Sequence, residues 1–183
     1  IYCIAQYFPR LCKYYDTYGW QNKQFMGRGE FTLEFGNYNV SITVPSDHLI
    51  AATGSLMNEA EVLTVQQQER LKKARNEFEQ PITIATIEEA NQRMLAGKSK
   101  AKKTWKFSAI NVRDFAFSTS RRHIWDALNT KLPNGKTAMA MSMWPKEGDC
   151  LWSKFSTKAV AHTLKWYSHY TIDYPYPVAW SVD

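Results

Sequence analysis

The sequence predicts a mainly β fold of the α+β class, with a helical insert and one further helix before its last strand. Three observations predict it. Aromatic and β-branched residues alternate with polar ones in several runs, and 7 Trp, 10 Tyr and 9 Phe in 183 residues suit a pleated, half-buried surface. One segment, residues 54–103, is instead polar, poor in aromatics and marked by helix-capping signals. From residue 153 the apolar period changes from two to that of a helix, and then back.

The elements follow in order. Residues 1–6 (IYCIAQ) read as a strand from the first position. In residues 30–35 (EFTLEF), Phe31, Leu33 and Phe35 share a face; in residues 39–44 (NVSITV), Val40, Ile42 and Val44 do. Gly36-Asn37 between them predicts a hairpin turn. Pro45 ends the second strand, because it has no N–H to donate, and residues 49–53 form another short one.

The insert carries two capping signatures. Thr64-x-x-Gln67 opens a helix with Leu71, Ala74 and Phe78 at helical spacing. Thr86-x-x-Glu89 opens a second, with Ile87, Ala90 and Met94 on one stripe and Gly97 as its stop. Stripes this thin predict helices on the surface rather than in the core.

The β pattern resumes at Lys103. Trp105, Phe107 and Ala109 alternate, followed by Phe115 and Phe117. Residues 123–128 and 137–144 read as strands about the turn Pro133-Asn134-Gly135. From Ser153 to about Thr171 a helix presents Phe155, Ala159, Val160, Leu164, Tyr167 and Tyr170. Pro175 and Pro177 break it, and Val178, Trp180 and Val182 alternate in a last strand. Nothing follows that strand to pair with it, so the helix and strand are expected to start a different layer. The expected division is a β domain over 1–145 and the start of a second domain over 146–183. A chain that opens and closes within its own secondary structure is expected to be a piece of a longer one.

Composition narrows the function classes. The net charge of +6 is concentrated: residues 90–113 hold seven of the 23 basic residues and no acid, which leaves the rest about one unit negative. A solvated basic linker explains this better than a nucleic-acid surface, which needs basic groups spread over a face with placed aromatics. No apolar run reaches the roughly 18 residues of a membrane span. Cys3, Cys12 and Cys150 form no CxxC pair. Cys3 and Cys12 in an extended stretch lie up to about 30 Å apart, too far to bond, and buried thiols are expected.

No catalytic constellation is present. His48, His123, His162 and His169 form no HExxH pair, and His162 and His169 share a helix face without a carboxylate. No GxSxG, Walker loop or GxGxxG occurs. Met139, Met141 and Met143 alternate on one strand face, as core filler does. Glu59/Glu61 and Glu88-Glu89 lie in the insert as solvated carboxylates.

Three stretches carry a family resemblance: AQYFPRLCKYYDTYGWQNKQFMGRGEFTLEFGNYNVSITVP (residues 5–45), WKFSAINVRDFAFSTSRRHIWDA (105–127) and STKAVAHTLKWYSHYTIDYPYPVAWSVD (156–183). Together they resemble the aminopeptidase N-type zinc metallopeptidases, especially a bacterial branch with a GWQNKxFxGxGEF signature. The resemblance implies the latter part of the N-terminal β domain, then the first helix and strand of a thermolysin-like catalytic domain. The chain stops short of the GxMEN-like loop and the HExxH motif that the family would place next. Zinc is therefore expected in the parent protein, where it polarises the scissile carbonyl and activates water, and no cofactor is expected in this chain. The implied partners are the remainder of the catalytic domain and, in the parent, a peptide with a free N-terminus.

The resemblance also implies one substrate contact. Family members place a Gln or Glu of the N-terminal domain against the substrate's free amine, shortly before an Arg. Here Gln6 stands four residues before Arg10, one fewer than the family's usual spacing. A Gln at a strand edge, bonded to backbone, explains it equally well. Two further readings stand beside the peptidase fragment. One is a stand-alone β-rich module binding peptide or carbohydrate through Trp20, Trp144 or Trp152; the other, weaker, is a nucleic-acid binder through residues 93–106. Open sheet edges and bare apolar surface also predict self-association.

Overall fold

The computed structural model describes residues 1–22, 24 and 32–183. They form a mixed, mostly β structure whose antiparallel sheets are joined by a few helices. In chain order the strands and helices are β1 (Tyr2–Ile4), β2 (Tyr14–Tyr15), β3 (Gly19–Trp20), β4 (Gly36–Pro45), β5 (Leu49–Ala52) and β6 (Ser55–Leu56), then α1 (Glu59–Val62), α2 (Val65–Ala74), β7 (Ile82–Ala85) and α3 (Ile87–Leu95). β8 (Lys102–Val112), β9 (Phe117–Ser120), β10 (Ile124–Lys131), β11 (Thr137–Trp144), α4 (Asp149–Tyr170) and β12 (Val178–Val182) complete the chain.

Two three-stranded sheets, ordered β1-β9-β5 and β4-β8-β6, meet a four-stranded sheet ordered β12-β11-β10-β7. The alternation read in β4 and β8 places Ile42, Val44, Trp105, Phe107 and Ala109 inward, while Ser41 and Thr43 face out. The turn at Pro133-Asn134-Gly135 joins β10 and β11 in register from Ile124↔Trp144 to Lys131↔Thr137. Both strands are buried on both faces. One face of β11 sends Met139, Met141 and Met143 into the main core with Trp125 and Ala127 of β10. The other sends Ala138 and Ala140 against Leu164 of α4.

Several expectations change. The hairpin at Gly36-Asn37 does not form: both residues lie within β4, whose ladder with β8 runs from Gly36↔Val112 to Pro45↔Lys102 with an irregularity between Gly36 and Tyr38. Residues 32–35 are not strand, and Glu30 and Phe31 of that expected strand lie outside the described residues. The insert is not purely helical. β7 lies within it and pairs antiparallel with β10, making it an edge of the four-stranded sheet. Consequently α2 is not merely superficial: Leu71 and Ala74 belong to the main core with Ile84 and Ala85 of β7.

Both capping predictions hold in part or in full. Thr64 and Gln67 form the reciprocal capping box of α2. Thr86 accepts from the Glu89 N–H at the start of α3. Gly97, at φ +76°, follows the end of α3. Phe78 falls beyond α2, partly exposed, with Lys131 Nζ 4.8 Å from its ring centroid.

The last strand does have a neighbour, but one that precedes it. α4 crosses over, and β12 pairs parallel with β11 from Met139↔Val178 to Met143↔Val182. β11, α4 and β12 thus form a βαβ unit across residues 145 and 146. The face that α4 turns to the sheet is only partly the expected one, since Val160 and Leu164 do pack against Ala138 and Ala140. Thr157, Leu164 and Ser168 are buried, whereas Phe155, Tyr167 and Tyr170 are exposed. Ser156 and Ser142 share a hydrogen bond of 2.9 Å across that contact.

Candidate functional site

A cleft of about 1070 Å³ lies between the β1-β9-β5 sheet, the end of β8 and the segment 174–180. Its wall draws on residues 3–5, Phe35, six residues between Ala51 and Met57, residues 108–118 apart from Phe115, residues 174–180 and Val182. Each part is fixed by specific contacts. β1 is held on β9 by the register Tyr2↔Thr119 to Ile4↔Phe117. Beyond it, Tyr7 packs edge-on against Phe8 and Phe117, and Phe8 against Tyr38. Burial, then the Asp114 charge, pushes the Tyr7 phenol pKa up.

The segment 174–180 is tied at both of its tyrosines. The Tyr176 hydroxyl donates to the Asn111 carbonyl at 2.9 Å, and the Tyr174 hydroxyl to the Val178 carbonyl at 3.0 Å. Asn111 is left-handed, at φ +54°, and its N–H donates to Asn37 Oδ1 at 2.9 Å. Asparagine tolerates that conformation better than most residues, and here the side chain of Asn37 and the hydroxyl of Tyr176 hold it in place.

Gln6 immediately follows Ala5, which lines the cleft, but is not itself among the lining residues. It is exposed and has φ +52°. It is past the end of β1 and so is not a strand residue. Arg10 pairs with Asp114 at 3.0 Å, with its guanidinium carbon 5.2 Å from the Phe8 centroid. Most of the expected GWQNKxFxGxGEF signature falls outside the described residues.

A second concentration of ionisable groups sits at the other end of β9. Arg121 is ion-paired with Asp47. Arg93 of α3 donates to the carbonyls of Arg121 at 2.9 Å and His123 at 2.6 Å. His48 shares a 3.1 Å hydrogen bond with Thr119. His123 is 0% exposed, and burial pushes its pKa down to about 4, so the ring is neutral. Burial likewise pushes the Lys103 amine down to about 8; its Nζ donates to the Val62 carbonyl at 2.9 Å. Arg93 and Lys103 are therefore structural members of the basic run rather than solvated charges. Sequence reading missed this network because its residues come from five separate stretches.

The candidate metal ligands do not converge. Among the described residues no group of three or more His, Cys, Asp or Glu side chains could hold a metal ion. His162 and His169 flank Trp166 on α4, each about 5.9 Å from its ring. All three cysteines are exposed, contrary to the expected burial: Cys3 lies in β1, Cys12 in the loop after it and Cys150 in the first turn of α4. Of the three candidate binding tryptophans, Trp144 is buried with its indole N–H on Asp149, and Trp152 packs against Trp144; Trp20 is exposed, edge-on to Tyr14. No helix among the described residues is long and apolar enough to cross a membrane. Comparison with protein-family models, with curated proteins and with solved structures gives no match.

Proposed function

We propose that this chain is scaffold from an aminopeptidase N-type zinc metallopeptidase: part of the N-terminal β domain and the first helix and strand of the catalytic domain. One observation carries the reading. The three stretches that bear the resemblance, though far apart in sequence, all contribute to the wall of one cleft. On this reading the cleft faces the remainder of the catalytic domain, and Gln6, next to the lining residue Ala5, accepts a hydrogen bond from the substrate's ammonium group. A neutral acceptor suits that task, since an ammonium group losing water needs partners.

The chain by itself is then a non-catalytic support, and hydrolysis of peptides belongs to the parent. Assay with an aminoacyl chromogenic substrate and added zinc should give no rate above blank; a zinc-dependent rate would overturn the reading. The second reading, a stand-alone module for peptide or carbohydrate, rests on the exposed Tyr14–Trp20 pair, whose ring centroids are 5.3 Å apart. Saturable quenching of Trp20 fluorescence by a soluble oligosaccharide or peptide library would favour it.

A further inference from the structure

The outer face of α4 carries an apolar row that the sheet does not use. Thr157, Leu164 and Ser168 are the buried side of the helix. At the helical period, Leu151, Phe155, Ala159, His162, Trp166 and Tyr170 fall in one row on the opposite side, and all six are exposed. The row runs along most of a helix of 22 residues, about 33 Å in length. Its rings are ordered against one another. Trp166 stacks on Tyr170 with ring centroids 5.8 Å apart, and His162 and His169 each lie 5.9 Å from Trp166. Side chains already held in place lose less freedom when a partner arrives.

The charge beside the row is one-sided. Lys154, Lys158 and Lys165 lie along the same flank, and all are exposed. Between Asp149 and Asp173 the chain contains no acid. None of the three lysines is ion-paired among the described residues, whereas Arg70, Arg75 and Arg121 elsewhere are. Along the other flank, Thr163 and Tyr167 border a hollow of about 580 Å³ between α4 and residues 171–181, and no charged side chain lines it. Ala159 belongs both to the row and to the wall of this hollow.

Bases on one flank and a neutral hollow on the other match a second amphipathic helix of opposite charge. Its apolar side would lie on Phe155 and Trp166, a large side chain would enter the hollow beside Ala159, and its acids would meet the lysines. A lipid surface fits less well. A helix lying in it meets headgroups along both flanks, and α4 offers bases along one. A second copy also fits less well, because antiparallel pairing of two such rows sets lysine beside lysine. We propose that the outer face of α4 is a docking surface for an acidic amphipathic helix of a partner protein, anchored on Phe155 and Trp166 and oriented by Lys154, Lys158 and Lys165. Aromatic anchors carry the affinity of such a contact, and the charges set its orientation and rate of encounter. The proposal does not rest on the peptidase reading.

The test uses the full chain and two fluorescein-labelled helical peptides of about three heptads. Both carry leucine at positions a and d; one carries glutamate along a single flank, the other lysine at the same places. Anisotropy should show saturable binding of the glutamate peptide and at least tenfold weaker binding of the lysine peptide. Added salt should narrow that difference, since the charges are exposed. Lys154→Glu, Lys158→Glu and Lys165→Glu together should invert the preference. Lys72→Glu and Lys73→Glu on α2, equally exposed, should leave it unchanged. Phe155→Ala should weaken the glutamate peptide at least fivefold. Circular dichroism checks that each variant keeps its fold; should the triple variant lose it, Lys158→Glu alone decides, with at least a threefold loss expected. No saturable binding, equal binding of the two peptides, or equal loss on changing Lys72 and Lys73 would overturn the proposal. So would tighter binding to phosphatidylserine vesicles, to oligothymidine or to a second copy of the chain.

Discussion

Gly54→Ala should be among the most damaging single changes in this chain. Gly54 lies where the backbone leaves β5 of one sheet and enters β6 of another. It has φ +86°, where an L side chain is strained by about 1–2 kcal/mol. A Cβ built there would also collide with the Ser108 carbonyl oxygen and lie 2.7 Å from the Ala109 Cβ. These are backbone and buried atoms of β8, not the ends of flexible side chains, so the sheet itself must shift. Overpacking of that kind costs about 1–3 kcal/mol, and the two effects together cost about 2–5 kcal/mol. With a urea slope of about 2 kcal/mol per M, the unfolding midpoint should fall by about 1–2.5 M. Gly135→Ala is the control: φ is +82°, but nothing lies within 4 Å of its Cβ. It should show the conformational cost alone. Equal losses for Gly54→Ala and Gly135→Ala would refute the argument from close approach.

Other predictions follow from the buried groups and the open edges. His123 is pushed down to about 4 by burial, against 6.5 when unfolded, so the unfolded chain binds the extra proton between those values. Above pH 6.5 the ring is neutral in both states and has no such effect; as pH falls towards 4, stability should drop by about 3 kcal/mol. Urea unfolding of wild type and His123→Leu across that window measures it; identical pH slopes would contradict it. All three thiols should react with a disulfide reagent in the native chain without denaturant; a titre of one or none would contradict the exposed placement. The outer edge of β12 and exposed Phe155, Tyr167 and Tyr170 should drive self-association, seen as concentration-dependent sedimentation. A clean monomer at high concentration would count against it.

Much of this fold is legible in the sequence where burial is one-sided. β8 is read correctly because Trp105, Phe107 and Ala109 face a core and their neighbours do not. β10 and β11 are buried on both faces, yet the turn residues between them mark the pair. β7 is lost to reading because four residues between two capped helices carry too short a pattern. Gly36-Asn37 has turn composition, but Asn37 is used instead to hold the left-handed Asn111 of the partner strand. On α4 the bulky aromatics suggest the buried face, whereas close approach to β11 favours the small side chains of Ser156, Thr157 and Ser168. The cleft is illegible because its wall joins residues more than a hundred positions apart.

The coding sequence beyond Asp183 gives the most direct test of the scaffold proposal. A frame that runs on through a GxMEN-like loop and then HExxH is the result expected of a support separated from its metal centre. A stop codon immediately after Asp183 would contradict it and leave a self-standing binding module as the better description.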